Sequence, residues 1–94
     1  MLEKQVEKYF KQEIEKAGGL TFKWISTVTG VPDRIAFLNN KVHLVELKAK
    51  SGRLSPRQLI IFRALEKQGF LVTVLYSEEE IDAFIKIHTK TKTD

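Results

Sequence analysis

The pair Asn39-Asn40 is the sequence feature that most restricts how this chain can fold. It separates two runs rich in apolar and β-branched residues, 34–38 and 42–48. Asparagine tolerates the left-handed backbone that a two-residue hairpin turn requires. The pattern therefore predicts an antiparallel hairpin in which the residues flanking the turn lie opposite each other, and this first pair fixes the register of every pair beyond it.

Hydrophobic periodicity predicts a helix and a strand before the hairpin. Apolar residues recur at three- and four-residue steps over residues 2–17, which indicates an amphipathic helix that Gly18-Gly19 ends. The β-branched and aromatic stretch 20–26 predicts a strand. A loop punctuated by glycine and proline then leads to Asp33, at the start of the first hairpin strand.

A helix, a strand and a second helix are predicted after the hairpin. The first helix runs from Ser55 to about Gln68, because serine followed by proline and then, three residues on, by glutamine is typical of a helix start. Residues 70–76 are almost continuously apolar, which predicts a strand buried on both faces. Ser77 begins a last, acidic helix, and residues 89–94 are predicted to be a polar tail.

The predicted order α-β-β-β-α-β-α implies an α/β (α+β) fold. Such an order gives a central mixed sheet with helices packed on its faces. No repeat and no linker divides the sequence, so a single domain is predicted over residues 1–88.

Composition excludes several classes of protein. The chain has no cysteine, which rules out a disulfide framework and a thiolate zinc site and fits a reducing, cytosolic compartment. No stretch approaches the roughly 20 apolar residues of a membrane span, so no membrane partner is expected. A net charge of +4 and a pI near 9.4 suit a polyanionic partner, although many ordinary domains carry as much charge.

The hairpin register brings three charged residues together. Counting outward from the turn places Asp33 directly opposite Glu46, and opposed residues have Cβ atoms about 5 Å apart on one face of a sheet. Lys48 lies on the same face, two residues beyond Glu46. Val42 and Leu44 precede them on that face. The pattern predicts a packed apolar face that becomes charged only at one end.

Two opposed carboxylates favour a bound cation, because like charges directly opposite each other destabilise a sheet. Hard oxygen ligands at this separation suit Mg²⁺ or Mn²⁺. Each residue alone is more often structural, since aspartate is common in turns and a glutamate and lysine on one strand face commonly form a solvated ion pair. The joint pattern favours a metal site, because a one-residue change in turn length would put Asp33 opposite Leu47 and disperse the group.

Two short motifs resemble those of a known superfamily. The segments G-V-P-D-R at 30–34 and V-E-L-K-A-K at 45–50 resemble the P-D…(D/E)-x-K signature of restriction-endonuclease-like proteins. The segments G-G-L-T-F-K-W, G-R-L-S-P-R-Q and E-K-Q-G-F-L-V resemble the virus-type replication-repair nuclease (VRR-NUC) domain, in its minimal phage-type stand-alone form. The resemblance covers roughly residues 3 to 82.

This resemblance implies both an activity and a set of site residues. It implies a restriction-endonuclease-like αβββαβ core, Mg²⁺- or Mn²⁺-dependent cleavage of phosphodiester bonds, and DNA as the substrate. Stand-alone members resemble junction resolvases, which act as homodimers on branched DNA such as Holliday junctions, here in the cytoplasm of a bacterial or phage-infected cell. Asp33 and Glu46 match metal ligands, the backbone carbonyl of Leu47 matches a further ligand, and Lys48 matches the catalytic lysine.

Two further side chains match family positions. An acidic residue on the first helix usually completes such sites, and the family pattern in V-E-K-Y favours Glu7 as a metal ligand, with Glu3 and Glu13 as alternatives. Gln58 matches a position that follows the catalytic lysine. Ser55 and Gln58 also have the spacing of a capping box, which would occupy the glutamine side chain at the helix end.

Four basic residues are candidates for contact with nucleic acid. Lys23 matches a family position, and Lys50, Arg53 and Arg57 cluster near the catalytic lysine. Contacts of this kind with phosphate give salt-dependent binding without base specificity. Singly, each of these residues is more often ordinary surface charge. The aromatic residues, including the single tryptophan, are predicted to lie mainly in the core rather than to stack on bases.

Two other functions remain open from the sequence. The first is a nucleic-acid-binding module of the same fold that is catalytically weak or inactive. The three charged residues argue against it, because a decayed site would usually have lost one of them. The second is a hydrolase that acts on RNA or on mononucleotides.

Overall fold

The fold is built on a four-stranded mixed sheet, which a computed structural model describes together with its helices over residues 2–89. The strands lie side by side in chain order; β2 is antiparallel to both β1 and β3, and β4 is parallel to β3. The elements are α1 Glu3–Lys16, β1 Leu20–Lys23, β2 Arg34–Leu38, β3 Lys41–Leu47, α2 Pro56–Lys67, β4 Val72–Leu75 and α3 Glu78–Thr89. The predicted fold class and element order are confirmed.

The hairpin between β2 and β3 has the predicted turn and register. Asn39 and Asn40 both have positive φ angles, 52° and 65°, as a turn of this kind requires. Leu38 pairs with Lys41 at the turn, and the last pair of the ladder is Arg34 with Val45. Asp33 is the residue just before β2, next to the end of this ladder. The turn therefore sets which side chains meet at the far end of the hairpin.

One face of the sheet, which we call the closed face, carries the hydrophobic core. Its side chains come from alternate positions of the strands, and α1 and α3 cover them. Tyr9 of α1 also donates a hydrogen bond of 2.7 Å from its hydroxyl to the Asp82 carboxylate of α3, which joins the two helices. The buried apolar residues are Val6, Phe10, Ile14, Ala36, Leu38, Val45, Leu47, Leu75, Ile81 and Phe84.

The opposite face, which we call the open face, is mostly uncovered. Among the elements described over residues 2–89, only α2 lies over it, near β4, and no residue of α2 is buried. Towards the hairpin turn, four large apolar side chains remain 43–60% exposed, and they are Leu20, Phe22, Phe37 and Val42. The prediction of a packed apolar face beside the charged residues is therefore wrong for Val42, because none of the three described helices lies over that half of the sheet.

Other predicted details also differ. The strand predicted over 20–26 ends at Lys23. The strand predicted over 70–76 begins at Val72, and it is not buried on both faces, because β4 is an edge strand with a helix over only part of it. The prediction that the aromatic residues lie mainly in the core holds only in part. Phe10 and Phe84 are buried in the core, whereas Phe22, Phe37 and Phe70 are exposed.

The last helix begins and ends near the predicted positions. The Ser77 hydroxyl accepts a hydrogen bond from the Glu80 N–H, and the Glu80 carboxylate accepts one from the Tyr76 N–H, which together cap α3. Thr89, predicted to begin the polar tail, is still helical, and residues 90–94 lie outside the described residues. Within residues 2–89, no helix has the length and apolar character that crossing a membrane would need.

Candidate active site

Asp33 and Glu46 meet where the hairpin ladder ends. The Asp33 N–H donates to Oε1 of Glu46 at 3.1 Å, and the Leu47 N–H donates to Oδ2 of Asp33 at 3.0 Å. Each carboxylate is thus held by a backbone N–H of the opposite strand. The structure brings the two side chains together as the register predicted, with Glu46 only 1% exposed.

The electrostatics of this carboxylate pair are unfavourable in the absence of a cation. Burial, followed by the negative charges of Glu3 and Glu7, raises the pKa of Asp33 above its usual value, although the Leu47 N–H and Lys48 oppose the change. Burial and the negative charge of Asp33 likewise raise the pKa of Glu46. Both carboxylates are therefore harder to ionise than in water, as is common at functional sites.

Lys48 supplies a positive charge to the pair. Its side chain is 13% exposed, and Nζ lies 3.3 Å from Oε2 of Glu46. Gly52 in the following loop lies against the lysine stem, because a Cβ at this position would come within 3.3 Å of two of its carbons. The predicted convergence of one lysine and two carboxylates is present in the structure.

Gln58 both caps α2 and contacts the site, two roles that its sequence context offers as alternatives. Its Oε1 accepts a hydrogen bond from the Ser55 N–H at 3.0 Å, and the Ser55 hydroxyl accepts one from the Gln58 N–H, which completes the capping box. The Gln58 Nε2 donates to Oε2 of Glu46 at 2.7 Å. Because the side-chain amide has both an acceptor and a donor, capping leaves the nitrogen free to hold Glu46.

Glu7 lies on α1 near the site but is bonded elsewhere. Its Oε2 accepts a hydrogen bond of 2.9 Å from Nη1 of Arg34 and lies 3.9 Å from Nζ of Lys23. Its negative charge nevertheless raises the pKa of Asp33. Within residues 2–89, no three acidic, histidine or cysteine side chains are grouped as a ready metal site. The role of Glu7 as a ligand therefore stays a prediction, as do the alternatives Glu3 and Glu13.

The side chains of Asp33 and Glu46 suit a hard divalent cation. Mg²⁺ typically takes one or two carboxylates and fills its remaining positions with water and substrate phosphate. The two carboxylates fit that requirement, and their pKa values are raised first by burial, with the negative charge of Asp33 adding to the shift at Glu46. Leu47, whose carbonyl was predicted as a ligand, joins them here through its backbone N–H.

The candidate DNA-contacting residues are distributed on two sides of the site. Lys50, Arg53 and Arg57 are exposed in the loop after Lys48 and at the start of α2. In the described part of the chain, none of these three forms an ion pair with an acidic residue. Lys23 differs, because its ammonium group lies near Glu7. Contact of these residues with phosphate remains a prediction.

Comparison with known proteins identifies the family. The sequence model of the VRR-NUC domain matches residues 3–79. The chain belongs to the VRR-NUC family. A solved VRR-NUC domain structure is similar over 89% of this chain and 94% of its own length, with a TM-score of 0.80 and 31% sequence identity. The predicted resemblance and the fold are therefore confirmed.

A curated relative points to the same activity. A protein of Acyrthosiphon pisum secondary endosymbiont phage 1, named "Putative nuclease p44", is 38% identical over 79 residues, which are 82% of this chain and 85% of the relative. Together with the family, this relative places the chain among nucleases.

One buried charged residue of this VRR-NUC domain, Arg34, was not predicted from the sequence. Arg34 is 4% exposed and points to the closed face, where it contacts Thr21 and Glu7. A signal was available, because Arg34 alternates along β2 with the apolar Ala36 and Leu38. A charged residue in such a pattern is predicted to be buried, and a buried charge requires partners.

Proposed function

We propose that this VRR-NUC domain is a Mg²⁺- or Mn²⁺-dependent endonuclease that hydrolyses phosphodiester bonds of DNA, with a preference for branched DNA such as Holliday junctions. The observation that carries the proposal is the convergence of Asp33, Glu46 and Lys48 in a nuclease family. The raised pKa values of both carboxylates support the cation requirement.

The site residues divide the work between holding a cation and stabilising charge. Asp33 and Glu46 are ligands, and the Leu47 carbonyl and the Glu7 carboxylate complete the protein's ligand set. A Mg²⁺ or Mn²⁺ ion held by these residues would supply Lewis acidity to the phosphoryl oxygen and favour deprotonation of the attacking water. Gln58 keeps Glu46 oriented through its hydrogen bond to Oε2.

Lys48 acts on the reacting phosphate. Its ammonium group is held at the site by Glu46, at 3.3 Å. From that position it orients the attacking water and offsets the negative charge that develops on the phosphoryl oxygens in the transition state. The exposed Lys23, Lys50, Arg53 and Arg57 contact backbone phosphates on either side, which makes binding depend on salt rather than on base sequence.

Action on a branched substrate is proposed to involve a second copy of the chain. Two cuts across a junction require two sites, and each chain supplies one. The open face supports this assembly, since four of its large apolar side chains remain 43–60% exposed, and clustered exposed apolar side chains can form an interaction surface.

A substrate panel tests the proposed function. The full chain is incubated with four-way junction, flap, linear double-stranded and single-stranded DNA, and with RNA, in Mg²⁺, Mn²⁺ or EDTA. We expect cleavage of DNA that requires the divalent ion, is fastest on branched DNA, and is lost in Glu46→Ala. Full activity of the Glu46→Ala variant, or cleavage in EDTA, would contradict the proposal. DNA binding without any cleavage would instead support the non-catalytic binding module.

A further inference from the structure

Arg34 is the most deeply buried charged group that the proposed mechanism does not use. It is 4% exposed and makes three hydrogen bonds. Nε donates to the Thr21 hydroxyl at 3.1 Å, Nη2 donates to the Thr21 carbonyl at 3.3 Å, and Nη1 donates to Oε2 of Glu7 at 2.9 Å. Every nitrogen of the guanidinium group therefore has a partner.

The cost of burying this charge suggests that it has a role beyond packing. Removing a guanidinium group from water costs several kcal/mol, and replacing a buried ion pair by apolar side chains is often neutral or stabilising. The neighbours of Arg34 on the closed face, Ala36 and Val45, show that apolar side chains fit there. Hydrophobic packing alone does not require an arginine at this position.

The geometry of the guanidinium group fixes the direction of its third bond. Two nitrogens are held by Thr21 of β1, so the planar group cannot rotate freely. The remaining donor, Nη1, holds Glu7, whose side chain is 29% exposed on α1. A lysine would carry the same charge but could not make this fixed set of bonds.

The position of Arg34 in the chain links Glu7 to the site. Arg34 follows Asp33 directly, so one short segment carries both a proposed metal ligand and the group that holds Glu7. We infer that Arg34 is a positioning residue, which fixes the orientation of the Glu7 carboxylate through its 2.9 Å hydrogen bond so that Glu7 can complete the ligand set for a divalent cation. This inference rests on the proposed function.

A purely structural role for Arg34 makes a different prediction. If the arginine only joins α1 to the sheet, its replacement lowers thermal stability and leaves the affinity for a cation unchanged. If it positions Glu7, its replacement lowers cation affinity, and this loss depends on Glu7. Groups that orient metal ligands typically contribute 10- to 100-fold to metal affinity.

The test is titration of the full chain with Mn²⁺ by calorimetry, in the wild type, Arg34→Lys, Glu7→Gln and the double variant. We expect Arg34→Lys to weaken Mn²⁺ binding by about 10-fold, and to cause no further loss when Glu7 is already replaced by glutamine. Lys11→Met, which breaks the exposed Lys11–Glu15 ion pair on α1, is the matched control and should bind Mn²⁺ like the wild type.

Two results would overturn the inference: unchanged Mn²⁺ affinity in Arg34→Lys, or a loss of the same size whether or not the chain also carries Glu7→Gln. If Arg34→Lys does not fold, Thr21→Val decides, because it removes the hydroxyl that holds Nε. Thr21→Val should weaken Mn²⁺ binding by less than Arg34→Lys does. Unchanged Mn²⁺ affinity in Thr21→Val would count against the positioning role of Arg34. A wild-type chain that neither binds Mn²⁺ nor cleaves DNA would refute the proposed function itself.

Discussion

The two faces of the sheet are built from the same strands but have opposite environments. On the closed face, Val45 and Leu47 are fully buried beneath α1 and α3, whereas on the open face the neighbouring Val42 is 60% exposed. The difference arises because, in the part of the chain that the structure describes, α1 and α3 cover one face and only α2, which buries no residue, lies over the other. The hydrophobic core that stabilises the fold thus lies on one face, and the apolar side chains of the other face remain exposed to solvent.

The candidate active site lies where the open face is best covered. Glu46 belongs to the open face by strand alternation, yet it is 1% exposed. Gln58 from the first turn of α2 and Lys48 from the end of β3 contact its carboxylate. The carboxylates are thereby sheltered enough for charge interactions to be strong, while the basic loop beside them stays exposed.

Truncation of the closed face should have the largest effect. Phe10 is fully buried and its ring lies 6.3 Å from that of Phe84, between α1 and α3. We expect Phe10→Ala to lower the free energy of unfolding by about 3 to 5 kcal/mol, as for other buried phenylalanines. Urea denaturation measures this loss. A loss below about 1 kcal/mol, within the range of surface substitutions, would contradict the assignment of the core to this face.

Neutralising a site carboxylate should have a smaller effect, and in the opposite direction. In Asp33→Asn, the amide oxygen can still accept the hydrogen bond from the Leu47 N–H, while the repulsion with Glu46 is removed. We expect the metal-free protein to gain about 0.5 to 2 kcal/mol at neutral pH, as when stability is traded for function, and to lose cleavage.

The pH dependence of this gain follows from the raised pKa of Asp33. The folded state binds the Asp33 proton more tightly than the unfolded state does, so wild-type stability falls as pH rises from the ordinary pKa of 3.8 through the raised one. The advantage of Asp33→Asn should therefore be present at neutral pH and disappear below pH 3.8. A variant less stable than the wild type at neutral pH would contradict the repulsion argument.

A charge on the open face should have the smallest effect on folding. Phe37 is 43% exposed and packs edge-on against Phe22. We expect Phe37→Lys to change the free energy of unfolding of the monomer by less than about 1 kcal/mol, but to shift the chain from dimer to monomer at micromolar concentration in sedimentation. Ile87→Lys, on the exposed side of α3, is the control and should stay dimeric. A monomeric wild type would contradict the second-copy proposal.

Local features explain what the sequence could predict. The turn at Asn39-Asn40 determines the hairpin register by itself, so the approach of Asp33 to Glu46 followed from backbone geometry. Helix boundaries near Ser55 and Ser77 followed from hydrogen bonds between residues close in the chain. Each of these features is determined within a few residues.

The features that the sequence did not predict depend on how elements distant in the chain pack against each other. Strand alternation identifies two faces but cannot say that α2 covers only part of one of them, so Phe22 and Val42 were expected to be buried. The partners of Arg34 come from α1 and β1, and its role became visible only once these elements were placed. Gln58 was treated as either a cap or a site residue, although its amide serves both.

The central claim is that the Asp33–Glu46 pair binds a divalent cation required for cleavage. Calorimetric titration of the wild type and Asp33→Asn with Mn²⁺ tests this most directly, with circular dichroism to establish that both are folded. The account predicts binding by the wild type and no detectable binding by the variant. Equal Mn²⁺ affinity in the two folded proteins would contradict it.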